Sequence, residues 1–173
     1  MNQKGFTLIE LLVVIAIIGL LASVVLTAIP EAQKRARDAK RLQSVSQIVT
    51  ALRVYYINQG FFPTRTADSC CDGWDQGPCA GDNTFIDDLV TSGELPVVPV
   101  DPVGGSGTNC YGYDYYRYDA GSSGCDVSRG AFFVLGIRDM ESSTRPHSQS
   151  PGWSCPSRDW QTEFDWVIGG FEN

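Results

Sequence analysis

The sequence predicts an α+β protein: a long N-terminal α-helix, membrane-spanning in its first half, packed on a small antiparallel β-sheet head with disulfide-clipped loops. Three observations predict it. Residues 6–29 are almost wholly apolar. Residues 39–56 repeat apolar side chains at helical spacing. Three short β-branched and aromatic runs then follow among Gly- and Pro-rich loops. A length of 173 residues suits one modest domain plus an extension. The expected organisation is a leader at 1–5, a transmembrane helix at 6–29, an amphipathic helix at 30–60 and a globular αβ head at 61–173.

The first element, FTLIELLVVIAIIGLLASVVLTAI, spans roughly 36 Å as a helix, against a bilayer core of about 30 Å. An ordinary secretory signal fits poorly. The polar start is only Met-Asn-Gln-Lys-Gly, the apolar run is long, and no A-x-A-like site closes it. A plain anchor leaves Glu10 unexplained, because a carboxylate in an apolar span costs a few kcal/mol without a partner. Gly5 is a small residue at the polar-to-apolar boundary, where a protease can cut from the cytoplasmic side. Cutting there frees the α-amine of Phe6, a cation with a reference pKa near 8. That amine can neutralise Glu10 along one helix or, in a stack of helices, the Glu10 of another subunit.

Beyond the span, Pro30 is expected to interrupt or kink the helix at about residues 26–30. Ala39, Leu42, Val45, Val49, Leu52 and Tyr56 then form one apolar stripe, widened by Ile48 and Tyr55. Gly60 is the expected C′ residue, and Pro63 prevents continuation. The stripe must bury against the head.

Within the head, residues 64–83 read as an irregular Cys-containing loop, and Thr84–Gly93 as a short helix capped by Thr84. Leu95–Pro102 must be extended, because each proline disfavours helix before it. Tyr111–Tyr118, Ala131–Ile137 and Phe164–Phe171 are the strand candidates.

Charge is unevenly spread. Residues 31–41 carry Lys34, Arg35, Arg37, Lys40 and Arg41 against Glu31 and Asp38, a local excess of three cations. From residue 42 onward seven arginines face seventeen acids. A head that acidic repels phosphate backbones, so no nucleic acid is expected on its surface. The basic stretch at 34–41 could serve as a nucleic-acid arm or a lipid-headgroup contact, but it is read first as a solvated face or as a partner for the acidic head of a neighbour.

All six cysteines, Cys70, Cys71, Cys79, Cys110, Cys125 and Cys155, lie beyond the apolar span. There is no C-x-x-C pair and one histidine, His147, so disulfides are expected rather than zinc, in an oxidising compartment. Cys110 and Cys125 flank the Tyr-rich strand and its turn and are paired on that ground. Cys70 and Cys71 would then take Cys79 and Cys155 in unassigned order. No nucleophile–base set, H-E-x-x-H or phosphate loop is present, so no catalytic residues are expected.

The string Lys4-Gly5-Phe6-Thr7-Leu8-Ile9-Glu10, continuing without a gap to Ala22, resembles the class III signal of type IV pilins and type II secretion pseudopilins. The resemblance implies cleavage between Gly5 and Phe6 by a prepilin peptidase, N-methylation of Phe6, and pairing of Glu10 with a neighbouring subunit's amine. It implies a precursor in the cytoplasmic (inner) membrane, an assembly platform there, and release into an extracellular or periplasmic homopolymer. That orientation opposes the positive-inside rule, which sets Lys4 and the initiator amine against five downstream cations. The cysteines and the pilin-like start both favour the head outside.

More loosely, Tyr55-Tyr56 to Phe62-Pro63, and Leu95-Pro96 with Asp101-Pro102, are similar to the major pseudopilins and related short pilins. That likeness implies a calcium-stabilised loop near the C-terminus, for which Asp159, Glu163 and Asp165 are the candidate ligands. Asp72, Asp75 and Asp82 form a second acidic group. Neither has EF-hand spacing, so solvated acids and no cofactor are the expectation. The function expected is a structural filament subunit. The alternative is a membrane-anchored adhesin or binding module that does not polymerise.

Overall fold

The computed structural model describes residues 7–65, 73–77, 85–103 and 112–173. Gly5, Phe6, Thr84 and four of the cysteines (Cys70, Cys71, Cys79 and Cys110) lie outside the described residues.

Helix α1 runs from Leu8 to Gln59, 52 residues or about 78 Å at 1.5 Å per residue. It starts at Thr7, whose extended backbone and side chain form a capping box with Glu10. It ends where Gly60, at φ 81°, enters the left-handed region and donates its N–H to the Tyr56 carbonyl at 2.8 Å. Only glycine takes that conformation without a Cβ penalty. The expected interruption at residues 26–30 does not occur. Pro30 sits inside the helix, where it removes one donor from a long ladder whose other bonds hold it together.

The sheet has the order β1-β2-β3-β6: β1 Asp75–Gly77, β2 Tyr113–Tyr118, β3 Phe132–Ile137 and β6 Trp166–Phe171, all pairs antiparallel. A separate hairpin joins β4 Ser154–Cys155 to β5 Arg158–Asp159. Helix α2 is Asp87–Thr91, shorter than the expected Thr84–Gly93, and begins after Ile86 in a left-handed conformation. Strand β1 falls in a stretch expected to be irregular loop. Its Asp75 carboxylate, buried, accepts the Ile86 N–H at 3.0 Å and ties the strand to α2.

Pleat alternation divides the sheet between two cores. Tyr113, Tyr115, Phe133, Leu135 and Ile137 face α1, where Val45, Ile48, Leu52 and Tyr55 meet them. The buried stripe is rotated from the expected one. Ile48 and Tyr55 lie at its centre, Tyr56 is half-buried, and Ala39 is exposed. The opposite face is not left to solvent. Phe132, Val134 and Val167 meet Trp74, Trp160 and Phe164 in a second, aromatic core. Every residue of β3 is therefore buried. Gly136 and Gly169 make room for this layer: a Cβ would lie 2.4 Å from the Phe164 ring at the first and 2.2 Å from the Trp153 ring at the second.

Candidate assembly site

Among the described residues the front half of α1 meets no other element. Its large side chains from Leu8 to Ile29 are exposed, and the helix is long and apolar enough to cross a membrane. At its start the Glu10 carboxylate accepts the Thr7 N–H and the Thr7 hydroxyl, each at 2.8 Å, while Thr7 Oγ1 accepts the Glu10 N–H at 3.3 Å. The only acid of the span is thus held at the helix N-terminus by the residue that follows Phe6, in good register with the helix dipole.

Where α1 reaches the head, a charged cluster clasps helix to sheet. Arg41, 2% exposed, makes a two-pronged contact with Asp101 at 2.6 and 2.9 Å. Its remaining nitrogen reaches Asp38 at 2.7 Å and Glu141 at 2.8 Å. Arg37 embraces the same Glu141 at 2.8 and 2.5 Å. Asp38 also accepts the N–H groups of Glu141 and Ser142, at 3.0 and 2.7 Å, and the Ser142 hydroxyl at 2.6 Å. Three carboxylates thus meet two guanidiniums, and backbone donors satisfy the remaining oxygens. The Arg37 guanidinium, then Arg41, hold the Glu141 carboxyl down to about 2, against the opposing effect of burial. Burial pushes Asp38 upward, but the Ser142 and Glu141 donors and Arg41 outweigh it and leave it lowered.

This corrects the expectation for the basic stretch. Arg37 and Arg41 pair within their own chain, Lys34 pairs with Glu31 at 3.0 Å, and Arg35 and Lys40 remain exposed. Reading by net charge missed the cluster. Its signal was positional: Arg41 stands four residues before Val45 and seven before Ile48, so it shares the buried face of α1.

Cys125 is bonded to Cys155, with Cα atoms 5.1 Å apart, and not to Cys110 as expected. The turns at Ser122–Gly124 carry Cys125 away from β2 and onto the β4–β5 hairpin, where Ser157 N–H also reaches the Ser123 carbonyl at 3.1 Å. The candidate calcium ligands do not converge. Glu163 forms two bonds to Arg158 at 2.7 and 2.8 Å. Asp165 accepts from Arg145 at 2.8 Å and from the Met140 N–H at 2.7 Å. Asp159 caps the following turn through the Gln161 N–H at 3.0 Å. Two of the three are already neutralised by arginine. Of the second acidic group, Asp72 and Asp82 lie outside the described residues.

Residues 1–26 match the family model described as the prokaryotic N-terminal methylation motif. The chain is similar to the type IV major pilin PilE of Neisseria gonorrhoeae, 44% identical over 35% of this chain and 36% of that protein. It is 41% identical to the type IV wide pilus major component of Thermus thermophilus, over 38% of this chain and 50% of that protein. The matched segment thus spans about a third to a half of these relatives. The type IV major pilin PilA of Myxococcus xanthus aligns along 99% of this chain and 81% of its own length, at 27% identity. No solved structure matches the chain.

Proposed function

Given that the chain belongs to the type IV pilin family, we propose that it is a structural subunit of a type IV pilus, cut once and polymerised through α1. One observation carries this reading. The methylation motif opens a helix whose apolar half is wholly exposed while its second half is fixed to a folded head. A lipid bilayer covers that half before assembly, and the same half of neighbouring copies covers it in a filament.

The processing steps follow from the chemistry at the boundary. A prepilin peptidase cuts between Gly5 and Phe6 on the cytoplasmic side, and Phe6 is N-methylated. The new amine then meets Glu10 of the adjacent copy, which gives up its bonds to Thr7 as it does so. An assembly platform in the inner membrane lifts the subunit into a filament outside the cytoplasm. In this reading the chain supplies structure rather than catalysis. Replacing Glu10 tests it: Glu10→Ala is expected to leave membrane insertion unchanged and to lower the amount of subunit recovered in sheared filaments at least tenfold. Unchanged filament yield would refute the pairing.

A further inference from the structure

The chain contains one Asp–Pro peptide bond, Asp101–Pro102, and it lies inside the clasp. Acid breaks such a bond more easily than other peptide bonds, for two reasons. The aspartyl carboxyl reaches its own backbone carbonyl carbon through a five-membered ring, so the nucleophile is already in place at high effective concentration. The leaving nitrogen belongs to a tertiary amide without an N–H, and it takes up a proton more readily than a secondary amide nitrogen does.

In the folded head the first of these advantages is withheld. Asp101 is 4% exposed. Its Oδ2 accepts from Arg41 Nε at 2.6 Å, and its Oδ1 accepts from Arg41 Nη2 and from the Val103 N–H, each at 2.9 Å. Three donors engage the lone pairs and fix the orientation of the carboxylate, which withholds it from attack on its own carbonyl carbon. Arg41 is itself buried and bound to Asp38 and Glu141. Asp101 is therefore freed only when the junction between helix and head opens.

We propose that Asp101–Pro102 is a self-cleavage site that the clasp keeps shut. Once released and protonated, the Asp101 carboxyl attacks its own carbonyl carbon. A C–O bond forms, the C–N bond to Pro102 breaks, and the carboxyl proton passes to the prolyl nitrogen, leaving a cyclic anhydride and a secondary amine. Water then adds across the anhydride and yields two carboxyl groups. The sum is hydrolysis of one peptide bond, with water as the only co-reactant. Asp101 ends a piece carrying α1, β1 and α2, and Pro102 begins a piece carrying β2, β3, β6 and the Cys125–Cys155 bridge. In acid the cut turns a reversible opening of the junction into a permanent break, whether or not the chain stands in a filament.

The test holds the full chain in detergent for several days at about pH 4, close to the ordinary aspartyl value of about 3.9. Fragments are read by mass spectrometry after reduction of the disulfides. Arg41→Ala is expected to give fragments ending at Asp101 and beginning at Pro102 at least about tenfold faster than the native chain, because local opening no longer has to break the fork. Glu141→Gln, which loosens the clasp from its half-buried side, is expected to fall between the two. Pro102→Ala added to Arg41→Ala is expected to abolish the cut. Cys125→Ser weakens the head away from the clasp and is expected to stay whole at this bond. A native chain cut as fast as Arg41→Ala, an Arg41→Ala chain without this cut, or a cut that survives Pro102→Ala would each overturn the proposal. So would Glu141→Gln cut no faster than the native chain. Cys125→Ser cut as fast as Arg41→Ala would assign the protection to folding at large and overturn it too.

Discussion

Arg41 is the residue on which the junction between helix and head depends. Buried against three carboxylates, it cannot be removed without leaving Asp101 and Asp38 uncompensated. Arg41→Ala is expected to lower the stability of the full chain in detergent by about 3–5 kcal/mol, read from urea denaturation. The acids give the head a shaped pH profile. Glu141, held down to about 2, contributes stability that is complete above its unfolded value near 4.3 and is lost as pH falls toward 2. Asp114 behaves oppositely. Burial pushes its carboxyl up to about 7 even though Arg138 pairs with it. Its contribution is complete below about 4 and is lost as pH rises through 7. Thermal unfolding should therefore show greatest stability near pH 4–5, and Asp114→Asn should flatten the decline above it. A profile of Asp114→Asn that still falls between pH 5 and 7 would assign that decline to another group. At this scale the sequence was legible where chemistry is local, as at Gly60; the Thr7–Glu10 capping box was not read from it. It was not legible for Asp101 and Glu141, which are brought to Arg41 from 60 and 100 residues away by the fold.

The elements show the same division. The three longer strands were readable because six-residue aromatic and β-branched runs carry a clear signal. Strands β1, β4 and β5, two or three residues each, carry no periodicity to detect. The second aromatic layer was hidden because Trp74, Trp153 and Trp160 arrive singly from loops. Two substitutions probe that layer. Gly136→Ala puts a methyl against the Phe164 ring and is expected to cost at least about 1–3 kcal/mol, with altered Trp fluorescence. Cys125→Ser opens a bridge closing a separation of 30 residues and is expected to cost about 3–4 kcal/mol, read as a lowered thermal midpoint. A Cys125→Ser chain as stable as the parent would mean that the hairpin is held by its aromatic packing alone.

Across the whole molecule, an exposed apolar half-helix is joined to a head with two covered sheet faces. The first feature was plain in the sequence, because a charge-poor run has one physical meaning at that length. The clasp that makes the back half of α1 part of the head was not, since its partners are scattered along the chain. The proposed polymerisation requires that the carboxylate in the apolar run gain its partner from a single cut between Gly5 and Phe6. The most direct test is the mass of the N-terminal peptide of subunits recovered from sheared filaments. A peptide beginning at Phe6 and heavier by one methyl group is the result this account predicts; a peptide beginning at Met1 would contradict it.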